Sequence, residues 1–347
     1  MKKLLYVSNI EVPYRTEYFN QLSKKLNLTV LYERKKSSNR NANWTESIKS
    51  KYSIKYLKGI KVNKEYTFDF RIIKYAFSKE YDDIIFGCYN SPSQILAILL
   101  MRLFRKKYIL NLDGEYFFNG NGIKDRIKRF LIKGAKKYFI AGDNTKINLA
   151  KYVEKEKIYS YHFSSLTNDE IKINNKNTNE NKNNMILVVG QFFEYKGLDV
   201  ALKCAKLDQS IKYKFIGSGS RSNLLEEKVK EMNLDNVEII PFLQKQELYN
   251  EYRNCKCLLL PSRKECWGLV INEAASFGCP IISTFGSGAA VELLEKKWLV
   301  NSEDYKDMYE KILLLNENKY NKKLLIKKSK KYTIENNVDE TIEMLDA

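Results

Sequence analysis

A chain of 347 residues is long enough for two domains that each bury a core of their own, and its 44% apolar and 13% aromatic content excludes a disordered chain. The formal charge of +18 fits an anionic partner, whether nucleic acid, phosphorylated substrate or acidic membrane surface, unless it reflects the compositional drift that also enriches the chain in Asn, Ile and Tyr. The longest apolar run, residues 95–101, is far short of a membrane span, and the run Leu4–Val7 is too short for a signal peptide, so a cytoplasmic protein is expected, soluble or peripheral on the inner face of the plasma membrane.

In chain order, KLLYVSN (3–9) predicts a strand, TEYFNQLSKKL (16–26) a helix, and LTVLYE (28–33) a second strand. DDIIFGC (82–88), a helix near 93–104, KYILNLD (107–113) and KKYFIAGD (136–143) continue the alternation. Residues 172–184 then break it: ten of the thirteen are Asn or Lys, a composition that cannot bury enough surface to fold and reads as a linker or exposed loop. From MILVVG (185–190) the same grammar restarts, with strands at 212–219, 237–242 and 255–262 and helices near 197–208, 221–233, 246–253 and 268–277. The tail places Ile334, Val338, Ile342 and Leu345 on one helical face that must pack on something. The expectation is an α/β protein of two Rossmann-like domains whose parallel sheets face a central cleft. Their bounds are 1–170 for the first domain, 171–184 for the linker, 185–328 for the second domain, and 329–347 for a tail helix that returns to the first domain.

Six cysteines contain no Cys-x-x-Cys pair, and with a single histidine they read as reduced thiols rather than a zinc site. Cys255 and Cys257, two apart in a strand, share a buried face.

The segment PSRKECWGLVINEAASFGCP (261–280) carries the chemistry. It reads as strand, loop and helix, with the helix starting near Gly268 and stopped by Gly278 as a left-handed cap and Pro280 beyond. The amides of Cys266, Trp267, Gly268 and Leu269 then lie at a helix N-terminus, where unpaired N–H groups and the helix dipole favour a phosphate. Glu265 and Glu273 frame that terminus, and a carboxylate accepts both hydroxyls of a vicinal diol; taken alone, each also fits a solvated surface acid.

This segment resembles the Glu-x7-Glu motif of the retaining glycosyltransferases of family four, matching it at Pro261, Ser262, Glu265, Trp267, Gly268, Glu273, Ala274, Gly278 and Pro280. VVGQFFEYKGLDVAL (188–202), FIGSGS (215–220) and 237–262 are similar to further motifs of that family in the expected order, so the resemblance is strong over about 185–295 and weak before it. It implies a GT-B fold and transfer of a sugar from a nucleoside-diphosphate sugar, a UDP-sugar above all, with no metal or other cofactor. By the same resemblance Glu265 would bind the donor sugar, Glu273 the ribose diol and Lys196 the diphosphate, while Gly190, Gln191, Gly217 and Gly219 would let the backbone approach the nucleotide, and Phe242 and Leu243 would flank the base. Gln191 stands where the family carries Arg, so Lys196 and the helix terminus would carry more of the diphosphate, with Arg263 or Lys264 as substitutes for the missing charge.

In the first half, Asp113 aligns with the family's histidine at a strand end, as a base or an orienter of the acceptor, or as the Asp of an Asp-Gly turn. Glu115 and Arg15 are acceptor-side candidates, and His162 is read as packing. The catalytic set is thus Glu265, Lys196 and Asp113. In IKDRIKRFLIKGAKK (123–137), Ile123, Ile127, Phe130 and Leu131 share one side and seven cations cover much of the rest; that pattern fits an anionic membrane, and so a lipid-linked saccharide acceptor, or a core helix with a solvated basic face. The resemblance points the same way, to bacterial capsule or lipopolysaccharide assembly. Two rivals stand beside it. A GT-B sugar-nucleotide epimerase would need more acids and histidines. A basic nucleic-acid binder would need a recognition motif that is absent, so no nucleic-acid partner is expected.

Overall fold

The computed structural model describes residues 1–35, 49–63, 66–113, 122–176, 183–317 and 319–347. They form two compact units, residues 1–163 with 334–347, and residues 164–333.

The first unit is built on strands β1 (Lys3–Ile10), β2 (Asn27–Arg34), β3 (Ser53–Tyr56), β6 (Asp83–Phe86), β7 (Ile109–Leu112), β8 (Lys137–Ala141) and β9 (Ile158–Tyr161), with β4 (Ile60–Lys61) and β5 (Thr67–Phe68) as a small antiparallel ribbon. The sheet order is β3-β2-β1-β6-β7-β8-β9, parallel throughout. The apolar runs read from the sequence are its central strands, and they are short and uninterrupted because both faces of a parallel sheet are covered by helices. Leu5, Val7, Leu31, Phe86, Leu110 and Ile140 fill one side of the core. The helix Pro13–Leu22 stops earlier than the spacing suggests: Lys24 and Lys25 bond back to Gln21 and Leu22 in turns, while Leu26 stays buried ahead of β2.

The tail helix Ile334–Asp346 belongs to this unit, with Ile334, Val338 and Leu345 buried. Tyr18 and Thr341 share a buried hydroxyl contact of 2.9 Å, and the His162 amide donates to Glu340 at 2.7 Å while its ring meets the other oxygen of that carboxylate. Lys137, counted above among the cations of the amphipathic stretch, instead opens β8. Its ammonium is buried and donates to the carbonyls of Met344 and Leu345 at 2.8 and 3.2 Å, capping the tail helix.

The second unit contains β10 (Met185–Val189), β11 (Lys212–Ile216), β12 (Val237–Ile240), β13 (Cys257–Leu260), β14 (Ile281–Thr284) and β15 (Leu299–Val300) in the order β12-β11-β10-β13-β14-β15. In chain order this is 3-2-1-4-5-6, the arrangement of dinucleotide-binding sheets, and its order reverses between β10 and β13. Ile186, Val188, Phe215, Leu259 and Ile282 are fully buried beneath its helices. Burial of each such side chain stabilises by about 1.5–3 kcal/mol before the entropy of ordering it.

Residues 164–176 depart from the expected boundary and linker. They belong to the second unit, and Asn168–Lys176 is a helix. Its start is a capping box in which the Thr167 hydroxyl accepts from the Glu170 amide at 3.2 Å and the Glu170 carboxylate accepts from the Thr167 amide at 2.9 Å. Ile171 and Asn174 are buried, and Asn174 donates to Ser276 at 2.9 Å, so two positions anchor a helix whose polar composition argues against folding.

Candidate active site

In the second unit two loops meet where the sheet order reverses. The first follows β10: Gly190 leads to the turn Glu194–Lys196, and Gly197, left-handed at φ 66°, starts the helix Leu198–Leu207. The second follows β13 through Pro261 to Gly268. The amides of Arg263 and Lys264 donate to the Tyr195 carbonyl at 2.8 and 3.3 Å, which pins one loop to the other. The result is direct contact between Lys196 and Glu265, an ion pair whose two side chains are each 13% exposed. Ser262 lies 3.5 Å from the same Glu265 oxygen. Gly190 forms the floor, where a Cβ would sit 3.9 Å from the end of the Lys196 side chain.

Arg263 is not a reserve charge for a phosphate. Its guanidinium is bound to both oxygens of Asp199 at 2.9 Å, to Glu303 at 2.5 and 3.1 Å, and to the Glu194 carbonyl at 2.8 Å. These bonds hold its proton even more firmly than usual, Asp199 first and Glu303 second. Arg263 therefore clamps the loop that carries Lys196, a role with no local sequence signal because its partners lie 64 and 40 residues away. Lys264 is exposed, and so is Gln191.

The helix Leu269–Ser276 begins one residue beyond Gly268, which takes φ 98° as its N-cap. A Cβ at Gly268 would lie 2.8 Å from the Ser287 hydroxyl and 3.3 Å from Glu265 Cγ, so glycine keeps the helix start against Glu265. The helix proper thus opens with the Leu269 amide, and Cys266 and Trp267 precede it. Trp267 is buried, its indole donating to Asn272 at 2.8 Å, and it anchors the loop; Cys266 is exposed. At the far end Gly278 is left-handed at φ 62° and the Cys279 amide donates to Ala274 at 3.1 Å, the cap expected from the sequence.

Glu273 lies further along this helix, half-buried, accepting from Tyr252 at 3.1 Å and Ser165 at 3.2 Å. Burial raises its pKa, and Lys245 and these two hydroxyls oppose the rise. Tyr252 and Ser165 are site neighbours that the sequence did not reveal.

Gly217 and Gly219 make room for the backbone of the loop after β10. A Cβ on Gly217 would come within 1.8 Å of the Gly190 carbonyl oxygen, and one on Gly219 within 2.6 Å of the Phe192 carbonyl oxygen. Phe242 and Leu243 follow β12, two strands from β10, and are half-buried.

In the first unit Asp113 directly follows β7. Arg15 pairs with one of its oxygens, and Asn111 and Tyr161 donate to the other at 2.6 and 2.5 Å. Arg15 is buried, with its guanidinium 5.2 Å from the Phe163 ring, 5.7 Å from Tyr18 and 6.0 Å from Tyr6. Asp113 is thus a carboxylate answered by three donors, which fix its orientation. Glu115 lies outside the described residues. No group of three or more His, Cys, Asp or Glu that could hold a metal occurs among the described residues.

Fold and matches together define a glycosyltransferase of the GT-B fold. Within that class, residues 169–336 match the family model of the glycosyl transferases group 1. An uncharacterized glycosyltransferase of Methanocaldococcus jannaschii is 27% identical over 268 residues, covering 76% of this chain and 74% of that protein. An uncharacterized 41.2 kDa protein in the cps region of Klebsiella pneumoniae is 33% identical over 115 residues, covering 33% of this chain and 31% of that one. Among solved structures, Anabaena HepE in complex with UDP and glucose superposes with a TM-score of 0.76 at 13% identity over 100% of both chains.

Proposed function

We propose that the protein is a retaining glycosyltransferase that moves a sugar from a UDP-sugar to a saccharide acceptor, lipid-linked, in the assembly of a bacterial surface polysaccharide. The observation that carries the reading is the meeting of Lys196 and Glu265 where the second sheet reverses its order, beside the start of the helix Leu269–Ser276. That crevice is where dinucleotide-binding sheets take their ligands. The diphosphate lies against Lys196 and the first-turn amides of that helix, which offset the charge that grows on the leaving group as the glycosidic bond breaks. Binding draws Lys196 toward phosphate and frees Glu265 to accept hydroxyls of the sugar, while Glu273 takes the ribose diol. Asp113, held by Arg15, Asn111 and Tyr161, orients the acceptor. Anabaena HepE, seen with UDP and glucose, supports the choice of donor, and the Klebsiella relative from a cps region supports the pathway.

The test is incubation with a panel of UDP-sugars and lipid extracts, following UDP release, the mass of the product and its anomeric configuration. The expected result is lipid-extractable product that keeps the donor's configuration. Epimerised sugar nucleotide formed without acceptor would overturn the reading.

A further inference from the structure

The helix Ile123–Ile132 already satisfies its core: Leu131 and Ile132 are buried, and Tyr108 donates to the Leu131 carbonyl at 2.9 Å. A second apolar set on it has no such cover. Ile123 is 77% exposed, Ile127 47% and Phe130 50%, and their spacing of four and three residues puts them on one face. The helix Pro92–Leu103 ends beside it, the Arg102 guanidinium lying 3.7 Å from the centre of the Phe130 ring. There the chain exposes five residues in succession: Leu103 at 73%, Phe104 at 62%, then Arg105, Lys106 and Lys107. Within 99–107 and 122–136, Arg126, Lys133 and Lys136 are also exposed, whereas no described acid is; Asp125, the one acid of these stretches, is half-buried.

Large apolar side chains held in water beside cations, with no exposed acid among them, match one kind of surface in both respects. We infer that this face of the first unit docks on an anionic phospholipid bilayer, with Leu103, Phe104, Ile123, Ile127 and Phe130 at the depth of the acyl boundary and the cations at the headgroups. Nucleic acid would use the charge and leave the apolar set in water; an apolar protein groove would use the apolar set and leave the charge unanswered. The surface uses no residue of the donor site, so the inference stands apart from the choice of donor.

The experiment is cosedimentation of the full chain with vesicles of phosphatidylcholine alone or with a third of phosphatidylglycerol, at low and high salt. The full chain should sediment with the anionic vesicles, weakly with the neutral ones, and be released by salt. Each cation near the surface is worth roughly a factor of five, so Arg105→Ser/Lys106→Ser/Lys107→Ser should bind about 100-fold more weakly. Leu103→Ser/Ile127→Ser, which alters only exposed side chains, should lose about tenfold. Thermal melting and gel filtration confirm that both variants fold. Equal binding to neutral vesicles, no binding to anionic ones, or wild-type binding by both folded variants would each overturn the inference. So would a wild-type dimer that the Leu103→Ser/Ile127→Ser variant converts to monomer with no effect on vesicle binding.

Discussion

The two units run the same strand order through their first six sheet strands, yet they treat charge at their strand ends in opposite ways. In the second, Lys196 and Glu265 ride on two loops over a glycine floor and hold chiefly each other, so a ligand can compete for both. In the first, Arg15 lies under three aromatic rings and its carboxylate partner is answered by two more donors. Toward the ends of β1 and β2 the polar groups also close on one another: the buried Glu33 accepts from Ser91, and Gln94 donates to Asn9 at 3.1 Å. The same fold therefore builds one strand-end cluster held by many partners within the unit and one whose two charges hold chiefly each other.

Four substitutions probe this contrast. Lys196→Ala should lower turnover by roughly 100- to 1000-fold, the usual loss when one stabilising charge is removed from a transition state. Steady-state kinetics checks it, and unchanged turnover would remove Lys196 from the chemistry. Arg15→Ala should cost about 2–3 kcal/mol of stability in urea unfolding, because it strands a carboxylate that is still partly exposed.

Glu33→Gln should reveal a pH effect. Burial pushes Glu33 up to about 7, with the Ser91 hydrogen bond opposing the rise. Its folded pKa thus exceeds the unfolded one, so folding holds a proton that the unfolded chain releases. The contribution is favourable below the unfolded pKa of about 4.5 and is lost as pH rises to about 7. Relative to wild type, Glu33→Gln should gain about 2 kcal/mol between those limits, as measured by urea unfolding at acid and neutral pH. A flat difference would contradict it. Last, Glu273→Gln should raise the donor KM about tenfold, as the loss of a charged acceptor implies, with little change in kcat. Because burial lifts the Glu273 pKa, the acid limb of wild-type kcat/KM should lie above the ordinary carboxylate range and vanish in the variant.

The fold and the strand–loop–helix frame of residues 261–280 were legible because their signals are local. Uninterrupted apolar runs mark the parallel strands, and Gly278 with Pro280 marks the end of the helix. What escaped depends on partners distant in sequence. Arg263 reads as a spare cation until Asp199 and Glu303 are placed beside it. Asp113 reads as a strand-end acid, and only the fold shows Arg15, 98 residues away, paired with it. Gly217 and Gly219 fit a nucleotide pattern, while the backbone they make room for belongs to the neighbouring loop. The helix Asn168–Lys176 did leave a local sign, the Thr167 to Glu170 capping box, which composition outweighed.

In the proposed mechanism the nucleotide binds where the loops after β10 and β13 meet. Cys266 is exposed in the second of these loops, Cys88 is half-buried in the first unit, and the other four cysteines are buried. The most direct measurement is the rate at which a thiol reagent modifies each cysteine, read peptide by peptide with and without UDP. Site-bound UDP should slow Cys266 and leave Cys88 unchanged; a Cys266 rate that saturating UDP does not alter would contradict the account.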